Sequence, residues 1–338
     1  MHATWMFACV YLTLGVFGSV TKTVNIRAFV RMGPGDSVTA SFLCLSLSDL
    51  GFLLTTVGVG AFSFLWAVEM GTSYETCFAM DPFAGYVISA NASFLLYVMS
   101  TLTTMFLAVA RCMCVARPLH FKNTFTLART VAVLLGCAVF TVGSYLPVLA
   151  NMGVDPKFDV RVNFSRPLLW ITTEREFIKV IVWTVRDTVL SMTSQVVLLV
   201  CVIIMAARLR KATAFRQMSV STSGARTAPP LGSQVTQLGR RDLQTVRRAT
   251  QAAHLGRKDL QIVRQVLLIS LVYVVCNMPK ILVNIAGIFE SELTIGKQYQ
   301  NLSIATINIM TISQMFHSSI NLVIYYKFNA KFRSNCAL

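Results

Sequence analysis

The residues of this 338-residue chain that could do chemistry are mostly charges set inside or at the ends of apolar runs. Asp49 lies within the run 38–66, where a carboxylate is costly unless it is paired, hydrated or ion-bound. Arg111 stands where the run 82–110 stops, seven residues before Pro118, so a fixed cation able to form forked hydrogen bonds sits at the end of an apolar helix. Arg186 and Asp187 are neighbours inside the run 177–207. On a helix their side chains point about 100° apart and cannot fully satisfy each other. Lys280 directly follows Pro279, which removes a backbone hydrogen bond and bends its helix. The histidines His2, His120, His254 and His317 are scattered, and the acids inside the runs do not pair at metal-ligand spacing. No catalytic constellation is indicated, and an enzyme is not expected.

The elements that must position these residues are apolar segments. Seven can be marked, at about 5–30, 38–66, 82–110, 127–150, 177–207, 260–289 and 299–326. Each exceeds or approaches the roughly 20 residues a helix needs to cross ~30 Å of hydrocarbon. With 55% apolar and 13% charged residues, the chain is too apolar for one soluble core and is expected to be an all-α, seven-helix membrane bundle forming a single domain over 1–338. Nine cysteines show no repeated spacing, so neither a disulfide framework nor a zinc site is indicated.

The charge of +16 tests the topology. The first segment lacks a basic start and carries Lys22, Arg27 and Arg31 toward its far end, which favours an N-terminus outside. Seven crossings from that start place +18 in the inner loops and tail and −4 in the outer loops. The basic excess thus follows the positive-inside rule, and a nucleic-acid partner is not expected. The basic third inner loop, 208–259, suits anionic membrane lipid and holds one repeat, Leu238–Gln244 recurring as Leu255–Gln261. Residues 219–233, rich in Ser, Thr, Gly and Pro, are expected to be a flexible linker.

Several motifs recur in a telling order: Leu45-Ser46-Leu47-Ser48-Asp49-Leu50, Arg111 with Pro118 and Leu119, Pro147, Cys276-Asn277-Met278-Pro279, and Asn321-Leu322-Val323-Ile324-Tyr325 followed by Phe332. In this order they resemble a rhodopsin-like G-protein-coupled receptor over Leu14 to Arg333. Among such receptors the chain is most similar to invertebrate, especially gastropod, chemosensory and peptide-receptor-like sequences. The departures are plain. Ala110 stands where the family has an acid beside the arginine, Asn277 where it has tryptophan, and Leu322 where it has proline.

The resemblance implies a receptor in the plasma membrane that binds an extracellular small molecule or peptide and activates a heterotrimeric G protein. It implies a switch made of Arg111, Asp259, Pro279, Tyr273, Asn321 and Tyr325, with Asp259 the resting partner of Arg111 and a short amphipathic helix after the last crossing. It places Ser100, Ser318 and Asn321 around Asp49 as a sodium or water pocket. Lys22, near the family's asparagine on the first segment, offers the alternative of direct pairing with Asp49, and a protonated Asp49 is a third. No other metal or cofactor is implied. Ligand contacts are expected on the outer halves of the helices, with candidates Ser93, Tyr97, Arg186, Asp187, Lys280 and Asn284. A biogenic amine is disfavoured, because Ser93 stands at the amine-binding aspartate position.

The family's outer disulfide cannot form, since residues 138–200 contain no cysteine, and the third segment is expected to be under-restrained at both ends. Asn163-Phe164-Ser165 is a glycosylation sequon in an outer loop, and Cys336 is a candidate for palmitoylation. Two other readings stay open: a non-signalling product of a degenerate or incomplete gene, and a membrane transporter.

Overall fold

The computed structural model describes residues 2–116, 125–224, 257–289 and 298–336. Helix α1 spans His2–Met32, α2 Ser37–Gly71, α3 Pro82–Ala116 and α4 Leu127–Ala150. The fifth crossing is composite: α5 (Arg175–Val182) runs through a π-helical stretch, Trp183–Leu190, into α6 (Ser191–Gly224). Helices α7 (Arg257–Phe289) and α8 (Gln300–Phe328) follow, then the short α9 (Ala330–Cys336). Between α4 and α5, strands β1 (Met152–Asp159) and β2 (Phe164–Ile171) form an antiparallel hairpin that the sequence did not announce.

Six crossings have helices long and apolar enough to span a bilayer. The seventh, α8, has 29 residues but a mixed composition. Ser303, Gln314, His317, Ser318 and Asn321 on it are buried, while Ile309, Phe316 and Val323 are exposed. Polar groups inside and apolar groups outside are what a lipid solvent demands. The same inversion holds for α4, whose exposed residues include Leu135, Val139, Phe140 and Leu146. The chain is thus an all-α, multi-pass membrane bundle with one small two-stranded sheet between α4 and α5.

Local chemistry explains where the helices begin. Asp36 caps α2, its carboxylate accepting from the Thr39 amide at 3.1 Å and the Thr39 hydroxyl at 2.6 Å. Pro82 opens α3 at a position where a missing amide costs nothing, and Asp81 caps it by accepting from the Phe83 amide at 3.2 Å. The Asn329 side chain caps α9 through the Phe332 amide at 3.0 Å. Fully buried Phe332 then packs with Phe29 and Tyr325 under the bundle.

Close approach in the bundle depends on Gly18. A β-carbon there would fall 2.5 Å from the Ser319 hydroxyl and 2.9 Å from Leu53, so any side chain at this position would have to displace those two where α1 meets α2 and α8, one turn before Lys22. In the hairpin both strands are edges, which allows Pro156 and Pro167 to face each other in register.

One expectation needs correction. The stretch from residue 219 is not linker from its start, because α6 continues to Gly224. The outer loop 151–171 is ordered as the hairpin. The third-loop repeat at 238–261 lies mostly outside the described residues, only its last five residues falling in α7.

Candidate functional site

The centre of the bundle is a carboxylate shared by four helices. Asp49 on α2 is fully buried and receives the Lys22 ammonium of α1 on Oδ2. Asn321 Nδ2 of α8 donates to the same oxygen at 3.2 Å, while Ser100 of α3 and Ser318 of α8 donate to Oδ1 at 2.5 and 3.5 Å. All four donors are at most 1% exposed. The structure brings together the residues that the sequence offered around Asp49 as alternatives, the pocket of Ser100, Ser318 and Asn321 and the partner Lys22. Lys22 reaches Asp49 because residues 22 and 49 stand at matching depths on two helices that Gly18 holds close. The ammonium already brings the positive charge that a sodium ion would, and a second cation on this carboxylate would meet a like charge at close range in a low dielectric. The residue set therefore does not fit sodium well.

His317 belongs to the same region and escaped the sequence reading. It is fully buried on α8, beside Ser318, with its ring edge-on to Tyr273 at 5.2 Å. Neither ring nitrogen has a hydrogen-bond partner among the described residues. A lone histidine in an apolar run carries no signal until its neighbours are known.

Toward the outer side, α3 and α7 are joined by side chains. Tyr97 donates to Asn277 Oδ1 at 2.6 Å and Tyr273 donates to the Thr101 hydroxyl at 3.2 Å. Asn277, where a tryptophan was expected from the resemblance, thus ties α7 to α3 two residues before Pro279. Gln195 of α6 donates to the Val274 carbonyl at 2.9 Å, linking the fifth crossing to the same turn of α7.

Of the ligand candidates, Ser93, Tyr97, Lys280 and Arg186 are buried and Asn284 is half-buried; the side chain of Asp187 lies outside the described residues. Ser93 is hydrogen-bonded to Thr56 at 2.9 Å, and the Lys280 ammonium lies 5.8 Å from the centre of the Tyr97 ring. Arg186 lies on a different aromatic: its guanidinium is 4.4 Å over Tyr145, which donates to Asn91 of α3. Arg186 therefore faces inward from the π-helical stretch.

At the inner end Arg111 is 4% exposed, beside a cleft lined by Ser37, Ser41, Phe106, Ala110 and Thr130. The side chain of its expected partner, Asp259, lies outside the described residues. Tyr325 is fully buried and edge-on to Phe29 and Phe42 at 5.0 and 5.2 Å. Lys331 of α9 donates to the Met32 carbonyl at 3.2 Å and fixes α9 beneath α1. Cys336 at the end of α9 is half-buried, its thiol pushed up by burial.

The outer end holds an ionic cluster absent from the sequence expectations. Arg166 of β2 is buried among Glu69, Asp159 and Asp81. Asp159 lies between Arg166 and Arg161; chiefly the Arg161 hydrogen bonds hold its carboxyl down at about 2. The Asp81 amide also donates to the Pro167 carbonyl at 3.2 Å. The N-terminal end of α3 is thus restrained, contrary to expectation. Cys9 and Cys77 are exposed, Cys77 donating to the Tyr74 carbonyl at 2.9 Å. The sequon residue Asn163 is exposed in the hairpin turn at φ 57°, a left-handed conformation that asparagine tolerates.

No curated protein sequence matches the chain. The family model for the serpentine type 7TM GPCR chemoreceptor Srx matches residues 13–228, a range that takes in α2 to α6, most of α1, and the hairpin. The match spans well over half of the chain and agrees with the multi-helix membrane fold and the buried charges inside it. This chain belongs to the Srx family of serpentine 7TM GPCR chemoreceptors.

Proposed function

We propose that the protein is a plasma-membrane chemoreceptor of the rhodopsin-like type, N-terminus outside, that binds an extracellular small molecule or peptide and activates a heterotrimeric G protein. The observation that carries this reading is the connected polar path through the bundle. Asp49 joins α1, α2, α3 and α8, and the Tyr97–Asn277 and Tyr273–Thr101 bonds join α3 to α7, the helix that carries Pro279. Packed helices linked this way shift between discrete arrangements, so a contact on the outer half biases the inner half. The inner half carries Arg111 and Tyr325, and its basic loops suit a G-protein helix end and anionic lipid.

We infer further that Lys22 is the resident cation of Asp49, taking the place that sodium would have. Ser93, Tyr97, Lys280, Arg186, Asp187 and Asn284 are the ligand candidates, Arg111 with Asp259 is the inner lock, Asn163 is a glycan site and Cys336 a lipid-anchor site. The test is a cell assay with an N-terminal epitope and a G-protein dissociation sensor, challenged with water-soluble chemical cues. The reading expects the epitope to be accessible on intact cells and at least one cue to give a response that Arg111→Gln abolishes at equal surface level. An epitope reached only after permeabilisation, or a response indifferent to Arg111, refutes it.

A further inference from the structure

We propose that Arg166 is an ionic clamp that positions the outer end of α3, doing with one guanidinium what a covalent bridge would otherwise do. Three elements converge on this side chain, which is 1% exposed as a residue. Nη1 meets Glu69 Oε1 of α2 at 2.5 Å; Nη2 and Nε meet Asp159 Oδ2 of β1 at 2.7 and 2.9 Å. Nη2 also lies 3.8 Å from Asp81 Oδ1 at the start of α3.

Asp81 makes the contact count for α3. Its carboxylate caps the helix through the Phe83 amide, and its own amide donates to the Pro167 carbonyl of β2, the residue next to Arg166. Helix cap, hairpin backbone and guanidinium therefore meet at one residue. A planar five-donor group can serve three acids at once, whereas an ammonium cannot reproduce the fork. Arg161 takes the other face of Asp159, with Nε–Oδ1 and Nη2–Oδ2 both at 3.0 Å, and lies 5.6 Å over Tyr74. It braces the hairpin through its ion pair with Asp159 and feels Asp81 only through longer-range charge attraction.

Burial gives the clamp its strength. Breaking a buried, hydrogen-bonded pair leaves uncompensated charge, while an exposed pair contributes little. The described groups carry three carboxylates against two guanidiniums, so removing Arg166 takes away the cation that is ion-paired with both Glu69 and Asp81 and leaves three acids to Arg161 alone among them. With Ser93, Tyr97, Ser100 and Arg111 all on α3, the clamp sets the helix that carries the proposed signal. That consequence rests on the receptor reading, but the clamp itself does not.

The experiment is hydrogen exchange on the full-length protein in lipid nanodiscs, read at the first turn of α3, residues 83–87, with basal nucleotide exchange on a G protein as a second readout. Arg166→Gln should speed amide exchange in that turn on the order of tenfold, equivalent to about 1.4 kcal/mol, and change basal nucleotide exchange. Arg161→Gln should speed exchange in the hairpin alone, and a thiol reductant should leave the wild type unchanged. If Arg166→Gln does not fold, Glu69→Gln, which keeps the cation and two acids, carries the same test with a smaller expected effect. An α3 turn indifferent to Arg166 and Glu69, or loosened equally by Arg161→Gln, overturns the clamp. A loosened turn without any nucleotide exchange would leave the clamp standing and count against the receptor reading instead.

Discussion

Replacing Lys22 with methionine keeps the length of the side chain and removes the charge that meets Asp49. Removing one partner of a buried ion pair costs about 3–5 kcal/mol, because the other charge stays buried and uncompensated. Here Ser100, Ser318 and Asn321 still donate to Asp49. Hydrogen bonds to a charged group retain part of its stabilisation, so Lys22→Met is expected near the lower end, about 3 kcal/mol. Asp49→Asn leaves an ammonium with no carboxylate and is expected nearer the upper end, about 5 kcal/mol. The double variant carries no buried charge at the node, so it should be more stable than the sum of the two losses implies, with a coupling of about 2–3 kcal/mol.

The assay is unfolding of the purified protein in detergent, followed by tryptophan fluorescence, on the wild type, both single variants and the double. Strictly additive losses would refute the pairing, since independent groups cannot compensate each other. A sodium series adds a second arm. Lys22→Asn should gain about 1.4 kcal/mol when sodium reaches ten times its dissociation constant, while the wild type gains nothing. An equal sodium response in both proteins would contradict the resident-cation reading.

Three further outcomes follow from the geometry. Gly153→Ala would place a β-carbon 2.4 Å from Trp170 Nε1, so it should loosen the hairpin by about 1–3 kcal/mol, visible as faster amide exchange over 152–171. Tyr97→Phe removes the 2.6 Å bond to Asn277 and should cost about 1 kcal/mol of stability while changing basal nucleotide exchange, which a substitution on the lipid face such as Val139→Leu should not do. Asp159, with its carboxyl held at about 2 against an ordinary 3.8, stabilises the hairpin fully above about pH 4. That contribution is lost as the pH falls toward about 2, so Trp170 fluorescence should stay constant from neutral pH to about 4 and change below it.

How much of this was legible in the sequence follows from where each charge sits. A lysine and an aspartate each isolated in an apolar run must find one another or another partner, and only a few groups can reach them; the Lys22–Asp49 pair was therefore readable as one of three alternatives, beside sodium and a protonated Asp49. The same logic exposed Arg111, Arg186 and Lys280, although nothing in the sequence told that Arg186 would lie over Tyr145 and Lys280 near Tyr97. Arg166 was not readable. It lies in an outer loop with four basic and four acidic residues, any of which water could satisfy, and its partner Glu69 is 97 residues away. Burial of a loop charge becomes visible only when the hairpin is in place. The strands themselves carry two prolines and a mixed pattern, which weakens the alternation that marks a strand. His317 was passed over because its significance lies in Tyr273 and Asp49 on other helices.

The central claim is that this membrane bundle drives guanine nucleotide exchange through an inner face that depends on Arg111. The direct measurement is nucleotide exchange on purified heterotrimeric G proteins by the full-length protein in nanodiscs, wild type beside Arg111→Gln, with folding of both confirmed by thermal unfolding. The account predicts exchange above the empty-nanodisc rate for the wild type and its loss in Arg111→Gln at equal stability. Exchange no faster than with empty nanodiscs for a folded wild type, or equal exchange by both proteins, would contradict it.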